Sequence, residues 1–364
     1  MSEAATLLAG NCPGRRAVGV GWGIATMGPE KLERRSRAHE AAATALAAFS
    51  DGDLTVLLDA ADWRVNFHGS ESAILDFAGH RVFAKRMALT RRELGAGPAG
   101  SVTADLFGLP SLYQYAVGSA GFAAGRELAA ARMTSGWALA GACPHFPILH
   151  HARVLPRTAP KLSERQQAWL ARIPAFWSGN PAIIARVDEV TRAPANIVMI
   201  HEFVGRDLET WLQAARPRGA KLAAAHDQWM GAVAFMNRQG LFHFDLHARN
   251  LLTDGEDLYL ADFGYALGSG FDLSAEERAF LAAHADYDSA YARWAYARWL
   301  KAAKRRPPAV RPILAREAPV AAIMDAFLLA LPGTKEAPAS GYPAQAVGAA
   351  LAELGVALGE RLTV

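Results

Sequence analysis

Residues 241–264 read LFHFDLHARNLLTDGEDLYLADFG. They set three polar residues at fixed offsets. Asp245 is followed by Asn250 five positions on, and Asp262 lies twelve beyond that, inside Asp-Phe-Gly. Between them, Leu251–Leu252 and Leu258–Ala261 read as short apolar strands around the polar turn Thr253–Asp257. Asp254-Gly255 in that turn is a strong hairpin signal. A loop therefore feeds a hairpin, and the hairpin ends on a second acid. The spacing suits phosphoryl transfer: one carboxylate accepts or orients a substrate hydroxyl, while an amide and another carboxylate hold Mg²⁺ against phosphates. The plainer alternative is a polar loop between two core strands with solvated acids. Asp-Phe-Gly alone would fit that, but Asp-Phe-Gly downstream of His-x-Asp-x-x-x-x-Asn, with a hairpin between, argues against it.

HFDLHARN resembles the catalytic loop of the protein-kinase-like superfamily, which includes protein kinases and small-molecule kinases of the aminoglycoside and choline type. ADFG resembles its metal-binding turn. The resemblance implies an α+β, two-lobed fold, with an antiparallel-sheet small lobe and a mainly helical large lobe. It implies ATP and Mg²⁺ as cofactors, Asp245 at the acceptor hydroxyl, and Asn250 and Asp262 on the metal. Residues 241–264 carry most of it, with shorter support at 63–86 and 197–212.

Upstream, Trp63–Phe67, Ala73–Phe77 and Arg81–Arg86 read as three strands, joined tightly enough for an antiparallel sheet. Lys85 closes the run Val-Phe-Ala-Lys. A lysine on an apolar strand needs a partner or an exit to water. In the resemblance it is the strand lysine that reaches the α- and β-phosphates. The link His68-Gly69-Ser70-Glu71-Ser72 takes the place of the phosphate-covering loop, although it holds a single glycine. Gly69 and the hydroxyls of Ser70 and Ser72 are its candidate phosphate contacts. Two glutamates are candidates to pair with Lys85: Glu93, eight residues on, and Glu127, which opens a strong helical run to about Leu139. Glu127 is preferred, and this implies an insertion over 94–121.

Asn196–Ile200 is a short apolar strand leading into His201-Glu202-Phe203-Val204-Gly205, which resembles the link between lobes. Glu202 and Phe203 are its candidate adenine contacts. Asp207 is placed to cap a helix over Leu208–Ala214. Residues 219–239 show helical periodicity and end at Gly240. Residues 146–155 and 182–190 both read as strands. Near the start, Gly19-x-Gly21-x-Gly23 reads as an arm rather than a phosphate loop, because no strand precedes it. Pro29–Phe49 reads as a helix whose Lys31, Arg34, Arg35 and Arg37 form a solvated face. Asp51-Gly52 reads as a turn.

Several features depart from regulated protein kinases. Phe244 stands before Asp245, where an arginine usually pairs with a phosphorylated segment. His247 stands where Ser/Thr protein kinases usually carry lysine. No Ala-Pro-Glu follows Gly264. A helix is expected from Ser274, with Glu277 completing a capping box. Asp272, Glu276, Glu277, Asp286 and Asp288 read as a solvated face rather than a lure for a cationic acceptor. Residues 290–306 are basic with interleaved aromatics, which reads as a two-faced helix in preference to an RNA patch. Residues 319–331 and 345–357 read as closing helices.

The sequence has 364 residues, enough for two domains or one two-lobed domain with a large core. Its net charge of +3 is too small to imply nucleic acid. Two cysteines, Cys12 and Cys143, make no disulfide framework, so a reducing, cytoplasmic setting is expected. No membrane span or signal peptide is evident. The expected division is an extension over 1–60, a small lobe over 61–205 and a large lobe over 206–364. The expected activity is transfer of the γ-phosphoryl group to a hydroxyl of a small molecule. Protein Ser or Thr is the alternative acceptor, and a non-catalytic nucleotide-binding scaffold is the alternative class. The sequence does not indicate an oligomeric state.

Overall fold

The computed structural model describes residues 27–65, 70–116, 118–119, 121–157, 159–304, 306–331 and 341–356. The Gly19, Gly21, Gly23 pattern and Gly69 lie outside them.

Two helices come first: α1 (Pro29–Ala48), with proline in its first turn, and α2 (Asp51–Asp59). The expected turn at Asp51-Gly52 is instead the start of α2, because Ser50 and Asp53 close a capping box around it. Strands β1 (Arg64–Val65), β2 (Glu71–Phe77) and β3 (His80–Leu89) follow. Ala78 and Gly79 both take positive φ, the geometry of a two-residue hairpin turn. Next come α3 (Arg91–Ala96) and α4 (Ala124–Leu139), then β4 (Leu149–Pro156), α5 (Glu164–Phe176), α6 (Pro181–Thr191) and β5 (Ala195–Glu202). The strand expected over 182–190 is helix α6. Asn180 caps it by accepting the N–H groups of Ala182 and Ile183, and Pro181 opens it.

The five strands form one antiparallel sheet in the order β1-β2-β3-β5-β4. Interior strand β5 is buried from Ala195 to Ile200, because both faces of the sheet are covered. Leu46, Leu54 and Leu58 of α1 and α2 pack on Val198 and Ile200, while Leu128 and Ala131 of α4 pack on Ile197 and Met199.

The remaining elements make a mainly helical lobe. They are β6 (Arg206–Asp207), α7 (Leu208–Ala215), α8 (Gly219–Arg238), β7 (Leu241–Phe242), β8 (Leu251–Thr253), β9 (Leu258–Leu260), β10 (Leu267–Gly268), α9 (Ala275–Ala283), α10 (Tyr287–Ala302), α11 (Arg311–Ala330) and α12 (Ala344–Glu353). Trp229 and Met236 of α8, Tyr296 and Leu300 of α10 and Met324 of α11 share its core. β8 and β9 pair as the expected hairpin, and Ser274 with Glu277 closes the expected capping box on α9. Among the described residues no single helix is long and apolar enough to cross a membrane. This two-lobed α+β architecture resembles the protein-kinase-like fold.

Three expectations of solvated charge are corrected by long-range partners. Arg35 is 6% exposed and pairs with Glu202, and Lys31 pairs with Asp254 and Asp257. Asp288 is fully buried. Arg293, in the basic run, is buried against Glu317.

Candidate active site

A cleft of about 740 Å³ opens between the sheet and the helical lobe. All the described candidates but Glu93 line it: Ser70, Ser72, Lys85, Glu127, Glu202, Phe203, Asp245, Asn250 and Asp262.

Lys85 reaches it from β3, where it lies opposite Ser72 of β2 and Met199 of β5. Its side chain is 9% exposed, and its ammonium donates to Glu127 Oε1 at 2.6 Å and to Asp262 Oδ1 at 2.8 Å. Burial disfavours the ammonium, but Asp262 and Glu127 outweigh that and raise its pKa. Burial likewise pushes the Asp262 carboxyl up, yet Lys85 pulls harder and the balance leaves it at about 2. The Glu127 carboxyl ends above its ordinary value. Burial drives it up and the neighbouring Asp262 charge adds to that, against the pull of Lys85. One ammonium thus serves two carboxylates, of which Asp262, half exposed to the cleft, gains more.

Glu127 comes from the first turn of α4, and Glu93 does not reach Lys85. Glu93 accepts the N–H and Oγ1 of Thr90 and the N–H of Ala124, so it ties the start of α3 to the start of α4. Its role is to hold the helix that delivers Glu127.

Asp245 and Asn250 face Lys85 from the helical lobe. Asn250 Nδ2 donates to the carbonyl of Asp245 at 2.8 Å and to its carboxylate at 3.0 Å, which turns the Asn250 amide oxygen the other way. His243 accepts the N–H of Asp245 on Nδ1 at 3.3 Å, and its Nε2 meets the carbonyl of Ala261 at 3.0 Å. This spans from the loop before Asn250 to the residue before Asp262. His247 Nε2 lies 3.6 Å from Asp245 Oδ2, too far for a hydrogen bond. Phe244 and Asp262 both take positive φ, 62° and 64°, a strained state for a side-chain-bearing residue that the surroundings must enforce.

At the back of the cleft, Glu202 uses its N–H on the carbonyl of Ile148 at 2.7 Å, and its carboxylate faces Arg35. Its side chain therefore serves packing between elements. Many further residues line the cleft without having been singled out in the sequence, His201 and Val204 among them. Val204 follows Phe203. His201 has its pKa pushed down to about 3 by burial and by Lys85, so it is neutral. Both lie inside a run read only as a link, and no local signal separates them from their neighbours.

The arrangement sets the buried Lys85 ammonium, the carboxylates of Glu127, Asp245 and Asp262 at different exposures and the oriented amide of Asn250 around a cavity of ligand size. No protein-family model matches this sequence, and no curated protein is found similar to it.

Proposed function

We propose that this chain is an ATP- and Mg²⁺-dependent phosphotransferase that moves the γ-phosphoryl group to a hydroxyl of a small molecule. The observation that carries the reading is the opposition across one cleft of Lys85, held by Glu127 and Asp262, and Asp245, held by Asn250.

The residues fit the cofactor. Asp262 presents a half-exposed carboxylate that stays ionised, and Asn250 turns its amide oxygen away from Asp245, so the two supply hard oxygen ligands for Mg²⁺. Lys85 supplies positive charge for phosphate oxygens, with the hydroxyls of Ser70 and Ser72 beside it on the cleft wall. Glu202 and Phe203 line the end of the cleft where the base would lie. ATP, when bound with its metal, supplies the phosphoryl group. Asp245 orients the acceptor hydroxyl and takes its proton as that oxygen bonds to phosphorus and the bond to the leaving ADP oxygen breaks.

The small-molecule acceptor is supported by the short path after Gly264. β10 pairs directly with β7, and α9 is capped at Ser274, so little chain is left to form a platform for a peptide.

Asp245→Asn tests the reading. Calorimetry should show Mg²⁺-ATP binding retained, and transfer followed by ³¹P NMR should fall by about 10²-fold or more. The acceptor panel is hydroxylated metabolites, aminoglycosides and generic protein substrates. Phosphorylation of proteins alone would replace the acceptor class and keep the site. A folded wild-type protein that does not bind Mg²⁺-ATP would reject the enzyme.

A further inference from the structure

Arg126 sits beside Glu127 on α4, and the two side chains serve different lobes. Glu127 meets Lys85 in the cleft. Arg126 is 1% exposed and donates to Glu277 Oε1 at 2.6 Å and to the carbonyl of Thr103 at 2.6 Å. Glu277 lies in the first turn of α9, the helix that follows the Asp262 segment, and its Oε2 accepts the N–H of Ser274 at 2.9 Å. One carboxylate therefore caps α9 and pins α4 to it.

The 94–121 insertion reinforces this link. Gly125 opens the way, because a Cβ there would collide with the backbone carbonyl of Val102. Residues 102–103 therefore lie directly against the first turn of α4. Thr103 Oγ1 then accepts the N–H of Asp272 at 2.9 Å, and Gln114 donates to the carbonyl of Tyr265. The segment after Asp262 is thus fastened at 265, 272 and 277 to α4 or to the insertion that packs on it.

The Arg126–Glu277 pair is a poor source of stability. Both groups lose hydration, and Arg126 Nη1 has no hydrogen-bond partner among the described residues. It is well placed to fix position, since nothing flexible separates it from Glu127.

We propose that Arg126 is a positioning residue: through Glu277 it holds Glu127 on Lys85, so the site is assembled without covalent modification of the chain. The effect on turnover rests on the phosphotransferase reading above; the effect on Lys85 does not.

The test uses the full chain with Arg126→Met, Glu277→Gln and Arg126→Lys. The sequence has seven lysines, so a ¹³Cε-lysine spectrum at fixed neutral pH is sparse, and Lys85→Arg identifies the Lys85 signal. Arg126→Met and Glu277→Gln should both move that signal toward its position in Glu127→Gln. Turnover should drop about 10- to 100-fold, the scale of a roughly 1 Å misplacement. The drop should fall on kcat with little change in KM for ATP, and Arg126→Lys should recover part of it. Wild type treated with phosphatase should keep its rate. If Arg126→Met does not fold, Glu277→Gln carries the test, because its amide oxygen still caps Ser274.

An unmoved Lys85 signal in the folded variants overturns the proposal, as does a large loss of wild-type rate after verified dephosphorylation. A Lys85 signal that moves in protein unable to bind Mg²⁺-ATP upholds the positioning role and rejects the phosphotransferase reading instead.

Discussion

Asp288 accepts the backbone N–H of His243 at 2.6 Å. With its other oxygen it accepts that of Phe244 at 2.9 Å, and Asn237 Nδ2 also donates to it at 2.9 Å. A carboxylate from α10 thus fixes the backbone just before Asp245 and holds Phe244 at its positive φ. The ring of Phe244 completes the grip by stacking on Tyr287 at 5.2 Å.

Asp288→Ala should therefore cost about 3 kcal/mol or more, because the buried N–H groups of His243 and Phe244 lose their acceptor, while the half-buried Asn237 amide keeps only the carbonyl of Leu241. Asp288→Asn keeps one acceptor oxygen and should cost less. Urea unfolding measures both. A loss below about 1 kcal/mol for the alanine variant would show that water replaces the carboxylate and that the loop is held elsewhere.

Glu127 and Glu93 should separate into two phenotypes. Glu127→Gln should keep stability close to wild type and lower turnover, since it weakens only the hold on Lys85. Glu93→Ala should lower stability by about 2–3 kcal/mol, since Thr90 and Ala124 lose their acceptor. Thermal unfolding and initial rates on the same preparations give the comparison. Equal loss of turnover at unchanged stability in both variants would contradict the division of roles.

What could be read from the sequence was what local pattern encodes. The offsets among Asp245, Asn250 and Asp262 carried the hairpin and the meeting of these residues, because a tight loop and two short strands leave little freedom between them. The helical run after Gly125 favoured Glu127 over Glu93 on the same ground. The errors have two sources. The stretch 182–190 read as a strand is instead helix α6, whose start signal, Asn180 capping and Pro181 opening, that reading left out. Arg35, Lys31 and Asp288 looked solvated because their partners lie far away in sequence: Glu202 for Arg35, the hairpin turn for Lys31, and the loop backbone for Asp288. No window of local sequence contains such a pair.

Stability should fall as pH drops from about 6.5 toward 4. Burial pushes the pKa of His150 and His284 down to about 4, and that of His201 to about 3. His150 also meets the positive fields of His39, His80 and Arg35, and its Nδ1 lies 3.2 Å from that of His39. A histidine with a depressed folded pKa favours the native state above its unfolded pKa. That contribution is lost as pH falls, because the unfolded chain takes up the protons first. His150→Asn should flatten the pH dependence between 6.5 and 4, as measured by denaturant midpoints across that range. An unchanged slope would assign the acid sensitivity to the other histidines held below their usual pKa, His39, His151, His201 and His284.

The last prediction concerns Arg35 and Glu202, which lie on α1 and at the end of β5. The guanidinium donates Nε and Nη2 to the two carboxylate oxygens, each at 2.8 Å, and Nη1 and Nη2 to the carbonyls of Pro144 and Phe146 at 2.7 and 2.6 Å. It also lies over the ring of Tyr259 at 5.0 Å. One turn earlier, Lys31 grips Asp254 and Asp257 at the tip of the hairpin between Asn250 and Asp262. Toward its other end, α1 packs Leu46 on the sheet. The helix therefore spans from the hairpin of one lobe to the sheet of the other, with Arg35 at the crossing. Arg35→Met leaves Glu202 and two carbonyls without their donor and should cost about 3–5 kcal/mol. Glu202→Gln alone should cost less, because its amide still accepts one hydrogen bond and the carbonyls keep theirs. The double variant should be less destabilised than the sum of the two, with a coupling of about 1–3 kcal/mol. A double-mutant cycle in urea measures it. Strict additivity would mean that the carbonyl contacts alone hold α1 in place and that Glu202 contributes nothing to the strap.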